Sequence, residues 1–141
     1  MDRALRWLIV LVLAAGAAWA VLRWPHLDTV ETGRTPEYPE LQPRDYSASD
    51  AQVSKAVRAA IDALGWEFVG GGRGPGGSEV QARGRGLLPL PSEVSIRIQR
   101  VSGRTRVSVR SHSPRLPWDF GENARVIGKF QSALDAQMGA R

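Results

Sequence analysis

Hydrophobic and polar residues follow three rhythms along this chain. From Trp7 to Leu22, sixteen consecutive residues carry no charge. The run is apolar all round rather than on one stripe, as in a helix surrounded by lipid. At 1.5 Å per residue it covers about 24 Å, and snorkelling of Arg6 and Arg23 extends it to about residues 4–24. The second rhythm has the helical period. Val53, Val57, Ala60, Ile61 and Leu64 predict a helix that Ser49 and Gln52 start as a capping box and Gly65 ends. Phe120, Ala124, Ile127, Phe130, Leu134 and Met138 predict another, from about Phe120 to Met138. The third rhythm is alternation, over residues 78–85, 93–101 and 104–112, with a short strand at 66–70. Ser102-Gly103 is a tight hairpin connection, and the glycine-rich stretch after Val69 is expected to be a flexible turn.

The order is helix, four strands, helix, with an extra leading strand suggested near residues 44–46. Short connections predict an antiparallel meander, and two amphipathic helices need one face of it. The expected fold class is therefore α+β: a two-layer domain over residues 44–141 behind an N-terminal transmembrane helix. Residues 25–43 contain four prolines, four acidic residues and no periodicity, which predicts a linker. Fully extended it reaches on the order of 60 Å. Tyr38 and Leu41 are its anchors if part of it packs along the domain.

Trp7, Trp19 and Trp24 lie near the ends of the apolar run, where interfacial tryptophans belong. Arg3 and Arg6 precede the run and an acidic stretch follows it. This predicts a single-pass protein of the inner membrane, N-terminus inside and domain on the extracytoplasmic side. The alternative is a cleaved signal peptide, since Ala18-Trp19-Ala20 resembles a small-x-small cleavage site. Both readings export the domain.

Composition narrows the chemistry. The chain has no cysteine, which excludes disulfides, thiol nucleophiles and cysteine-ligated metal centres. No pair of histidines, and no histidine–carboxylate spacing, suggests a metal site, and no cofactor is expected. Charge is uneven: residues 25–72 hold four basic and eight acidic groups, residues 73–141 twelve and five. If Val80, Ala82, Val94, Ile96, Ile98, Val107 and Val109 face the helices, strand parity turns Arg83, Arg85, Arg97, Arg106 and Arg110 the other way. That face either binds an anionic lipid, an envelope polymer or an acidic protein partner, or is solvated and partly neutralised by Glu79, Glu93 and the acidic linker. It lacks interleaved aromatics, so nucleic acid is not an expected partner. The meander also brings Leu87, Leu88 and Leu90 to the same end as Leu116 and Trp118. Those loops either form an exposed patch for a partner or the bilayer, or plug the end of the core.

Three motifs carry candidate chemistry. Asp119-Phe120-Gly121 matches the magnesium-binding triplet of protein kinases, but no catalytic loop, strand lysine or nucleotide loop accompanies it. As a helix start it is coherent: Asp119 is a favoured N-cap and Glu122 completes an Asp-x-x-Glu box. The glycines from Gly72 to Gly77 match G-x-G-x-x-G, yet a strand follows where a dinucleotide site needs a helix. Ser111, His112 and Asp119 are the candidates for a small hydrolase.

The stretches "LGWE", "IRI" and, above all, "VRSHS…DFGENARVIGKF" resemble the family known as domain of unknown function 1499. Arg110, Ser111, Ser113, Asp119, Gly121, Asn123, Ala124, Ile127 and Phe130 fall on its pattern. The family's second Ser-Arg and loop glycine are replaced here by Pro114, Leu116 and Pro117, and its paired acids by Ser92-Glu93. The resemblance implies an exported or membrane-tethered α+β domain and brings no activity. Within the motif, Arg110 is expected to pair with Asp119 or Glu122, Asn123 to satisfy loop backbone groups, and Gly121 to let the strand end approach. The same residues are also arranged to hold a small anion at the helix N-terminus. The expected function is a non-catalytic binding module of the envelope, with the hydrolase as alternative.

Overall fold

The computed structural model describes residues 2–139 as an apolar helix leading into one α+β domain. The elements are α1 (Arg3–Arg23), β1 (Thr29–Glu31), β2 (Arg44–Tyr46), α2 (Asp50–Ala63), β3 (Glu67–Gly74), β4 (Gly77–Gly84), β5 (Ser92–Val101), β6 (Arg104–His112) and α3 (Glu122–Gln137). Strands β3 to β6 form the expected antiparallel meander, and β2 lies where the sequence suggested it.

α1 has 21 residues, a mean hydropathy of 2.1 in its most apolar window and no burial against the domain. It is long and apolar enough to cross a membrane. α2 starts with the predicted box: the Ser49 side chain accepts from the Gln52 backbone, and the Gln52 side chain from Ser49. It ends at Gly65, whose φ of +68° is the left-handed conformation that terminates helices. α2 and α3 pack against each other and on one face of the sheet. Val53, Val57, Ile61, Val126, Ile127, Phe130 and Leu134 meet Val94, Ile96, Ile98, Val107 and Val109 in a core from which water is excluded. The opposite face carries no helix.

Two expectations are corrected. The glycine-rich stretch is a turn only at Pro75-Gly76: β3 continues to Gly74 and pairs residue by residue with β4, after a bulge between Phe68 and Gly70. Backbone pairing with β4 supplies what the missing side chains do not. Phe120 does not begin the helix stripe. It sits outside α3 at a φ of +52° with its side chain outward.

Residues 25–43 are not a free tether. β1 pairs antiparallel with the end of β6, Thr29 opposite His112 and Glu31 opposite Arg110. β2 pairs with the start of β6, Arg44 opposite Val107 and Tyr46 opposite Thr105. Thr32 bridges the gap: its N–H donates to the Val109 carbonyl (2.9 Å) and its Oγ1 accepts from the Val109 N–H (3.0 Å). The outer edge of β6 is thus paired along most of its length, which removes a template for edge-to-edge association. Tyr38 and Leu41 pack on the core, and buried Gln131 donates to the Gln42 carbonyl at 2.7 Å.

Tyr46 donates to Asp135 at 2.6 Å, and burial, followed by this bond to a carboxylate, raises its pKa. Tyr38 is raised as well, chiefly by burial. A raised tyrosine stabilises the fold fully below its unfolded pKa, about 10. That contribution is lost as pH climbs from there through the folded value. As these are the only two tyrosines, phenolate absorbance in the folded chain is expected to rise at higher pH than in the unfolded chain, and Tyr46→Phe to flatten the alkaline fall in melting temperature. Val30 is fully buried in β1. Val30→Ala is expected to cost about 2 kcal/mol in chemical unfolding; an independent linker would show no loss.

Candidate functional site

The polar residues of the β6–α3 junction gather into one buried cluster. Alternation along β6 turns Ser111 inward and His112 outward. Ser111 Oγ donates to Asn123 Oδ1 at 2.7 Å. Asn123 Nδ2 donates to Ser113 Oγ at 2.9 Å and to the Asp28 carbonyl at 2.8 Å. Asp28 immediately precedes β1, and its carbonyl also accepts the Ser113 N–H. One asparagine therefore joins β6, the loop beyond it, the first turn of α3 and the segment arriving from α1. Ser111, Asp119 and Asn123 have no exposure to solvent, and Ser113 little.

Asp119 caps α3, though two residues earlier than the helix boundary requires. The helix begins at Glu122 behind Gly121, whose φ is +77°. Asp119 Oδ1 accepts from the Gly121 N–H (2.9 Å), Oδ2 from the Asn123 N–H (2.8 Å), and its carbonyl from the Glu122 N–H (3.0 Å). The expected Asp-x-x-Glu box is not formed, because Glu122 turns away. Its carboxylate is buried and accepts from the backbone N–H groups of Gly86 (2.6 Å), Leu87 and Leu88 (both 3.2 Å). Arg125 adds a contact at 3.1 Å. Glu122 thus anchors the β4–β5 loop through three donors. Gly86 is required there, since a Cβ would collide with the Glu122 carboxylate.

Arg110 pairs with neither Asp119 nor Glu122. It is exposed on the opposite face of the sheet, while both acids are occupied by backbone N–H groups. Nor does the helix N-terminus hold space for an anion: the Asp119 carboxylate takes that position. Gly121 admits the indole of Trp24 rather than the strand end, since a Cβ would lie 3.0 Å from Trp24 Cζ2. The hydrolase set is not assembled. Ser111 is committed to Asn123, Asp119 to two backbone donors, and His112, on the far side of the strand, meets Thr29 Oγ1 through Nδ1 at 2.9 Å. Among the described residues no group of three or more His, Asp or Glu side chains converges to hold a metal.

The open sheet face is the second candidate. Arg83 pairs with Glu67 through both carboxylate oxygens (3.1 and 3.0 Å), and Arg106 with Asp45 (2.8 and 2.9 Å). The Arg106 hydrogen bond holds the Asp45 carboxyl below its usual range. The neutralising acids are therefore Glu67 and Asp45, whereas Glu79 accepts from Gln81. Arg85 lies beyond the end of β4, beside Lys129 and Trp66 rather than on the face. Arg97 and Arg110 remain, with no carboxylate within 4 Å among the described residues. They border a small depression with Arg34, Glu31, Glu79, Ser95 and Ser108. Beside it, the side-chain-free backbone of β3 leaves a shallow trough of about 600 Å³ between Gly70 and Gly77, flanked by Gln81, Arg97 and Gln99.

Of the apolar loop residues, Leu87 is 76% exposed, Leu88, Leu90 and Leu116 are partly covered, and Trp118 stacks between His26 (4.3 Å) and Phe120 (4.4 Å). Sequence reasoning missed Glu122 as a loop anchor and Asp28 as a partner of Asn123. Both depend on backbone groups 34 or more residues away, which leave no local signal.

A family model described as "Protein of unknown function (DUF1499)" matches residues 21–134, which takes in the whole polar cluster. No curated protein and no solved structure matches the chain significantly.

Loss of Asn123 leaves the Ser111 and Ser113 hydroxyls without their partner in the interior, while the Asp28 carbonyl keeps the Ser113 N–H. Asn123→Ala is expected to destabilise the domain by roughly 2–4 kcal/mol, and Glu122→Ala by roughly 3–5 kcal/mol, in chemical unfolding. His112→Ala, at a half-exposed position, is expected to change stability by less than about 1 kcal/mol.

Proposed function

We propose a function from geometry alone, since the chain belongs to DUF1499, a family whose description carries no activity: a membrane-tethered, non-catalytic module that binds an acidic partner segment on its open sheet face. α1 is the tether, crossing the inner membrane once with its N-terminus inside and placing the domain on the extracytoplasmic side. The arginines before the span and the acidic stretch after it support that orientation.

One observation carries the binding reading. Arg97 and Arg110 stand on an uncovered face with no carboxylate within 4 Å among the described residues, while neighbouring Arg83 holds Glu67 through one guanidinium nitrogen and Arg106 holds Asp45 through two. A guanidinium presents a planar fork that matches a carboxylate, and Arg97 and Arg110, with Arg34, outnumber the Glu31 and Glu79 carboxylates that line the same depression, which suits a segment carrying spaced acidic side chains. The glycine trough lets such a segment lie close to the sheet. The buried polar cluster supports the non-catalytic part, because its nucleophile, acid and amide are consumed by internal hydrogen bonds.

The test is binding of a fluorescent poly-glutamate peptide to the full chain in nanodiscs. Binding at low salt that fades at high salt is expected. Arg97→Glu and Arg110→Glu are each expected to weaken it roughly tenfold, about 1.4 kcal/mol, and Arg83→Glu far less. No binding at low salt, or equal losses at all three positions, overturns the reading. The chain has no cysteine of its own, so a single cysteine at Ser102, labelled by a membrane-impermeant maleimide on intact spheroplasts, tests the orientation.

A further inference from the structure

The face of the domain that meets the tether has a composition unlike the rest of its surface. Strand directions place the end of β4, the start of β5, the end of β6 and the start of β1 together: Gly84 is opposite Ser92, Glu93 opposite His112, and His112 opposite Thr29. The 85–91 loop, the 113–121 loop and the exit of α1 therefore share one end. Exposed there are Leu87 at 76%, and Phe120 and Trp24 at 38% each. Trp118 lies between His26 and Phe120 in a continuous aromatic stack.

This patch is held in place rather than merely uncovered. Glu122 pins the 86–88 backbone by three hydrogen bonds, so that Leu87 projects outward. Asp119 caps α3 while Phe120 takes a left-handed conformation, unfavourable for an aromatic residue, with its side chain in the open. Both arrangements leave a large apolar side chain exposed at the end of the domain nearest α1.

The connection to α1 decides what covers the patch. α1 ends at Arg23 and β1 begins at Thr29. The Leu27 carbonyl accepts the Asp119 N–H and the Asp28 carbonyl the Ser113 N–H, both at 2.8 Å, so the chain is already fixed to the domain at those residues. The Trp24 indole packs against Gly121. Trp24 stands at the exit of α1 and touches Gly121 of the 113–121 loop, so the link between helix and loop end is closed by direct contact rather than left extended. A headgroup layer is about 5–7 Å thick on each side of the hydrocarbon. If α1 spans, that contact puts the loop end against the headgroups.

We propose that this end of the domain docks into the interface of the bilayer that α1 crosses, with Leu87, Trp118 and Phe120 as its apolar and aromatic contacts. The inference rests on the tether reading of α1 and is independent of the acidic partner. Arg23, Arg85, Arg115 and Lys129 lie around the patch and suit anionic headgroups. Of the acids at this end, Asp119 and Glu122 are buried and Glu67 is paired with Arg83, which leaves Asp28 and Glu93 exposed. Tryptophan and phenylalanine rings at headgroup depth are the usual anchors of such a surface. Docking also fixes the sheet upright, with its open face directed sideways and free.

The test uses full-length chains, each with one introduced cysteine carrying a nitroxide, in liposomes containing phosphatidylglycerol. Labels at Leu87→Cys and Arg115→Cys report the loop end, Pro75→Cys the far hairpin, and Leu13→Cys the span. The expected result is a several-fold higher ratio of collisions with dissolved oxygen to collisions with a polar nickel chelate at positions 87 and 115 than at 75. Position 13 is expected to be higher still. If 13 is lipid-buried while 87 and 115 are as aqueous as 75, the docking proposal is overturned and the tether stands. If 13 is aqueous, the tether reading fails and docking fails with it.

Discussion

Two adjacent side chains in the first turn of α3 must be satisfied away from water, and most of the domain is arranged around them. Glu122 draws three backbone N–H groups of the β4–β5 loop to one side. Asn123 draws Ser111, Ser113 and the Asp28 carbonyl to the other. An unpaired carboxylate or amide in the interior costs far more than a typical hydrogen bond contributes. The loops therefore hold the one arrangement that supplies every partner. The sheet, the helix layer and the arrival of the chain from α1 are fixed to one another at that point.

This constraint separates structure from function along the chain. Two of the three residues that resemble a catalytic set in sequence, Ser111 and Asp119, are consumed by the fold. Serine, aspartate and asparagine within a dozen residues suggest chemistry, yet here they form a closed lattice with no solvent access. What the lattice leaves accessible lies on two surfaces. One is the uncovered sheet face, with two unpaired arginines and a glycine trough. The other is the loop end beside α1.

Those surfaces are chemically distinct: one is polar and rich in arginine, the other apolar and aromatic. The edge of β6 is covered by β1, Thr32 and β2 in turn. The opposite edge, β3, is interrupted by a bulge and rich in glycine, features that discourage strand addition. The domain's remaining contacts are therefore made by side chains and loops rather than by pairing of edges.

The sequence by itself determined whatever depends on neighbours within a turn or a pleat. The apolar span, α2 with its Ser49–Gln52 box, the meander, its hairpin at Ser102-Gly103 and the inward valines and isoleucines were legible because helix and strand periods are local. Composition misled it twice. The glycines after Val69 form a strand because β4 supplies the hydrogen bonds, and residues 25–43 fold onto the domain because β6 offers an open edge. Tertiary structure alone decided the rest. Arg110 lies on the opposite face from Asp119 and Glu122; Glu122 serves the loop at Gly86 rather than its own helix; the Asp28 carbonyl completes Asn123. Each joins groups far apart in the chain through a backbone atom that every residue possesses, so no residue type marks it in advance.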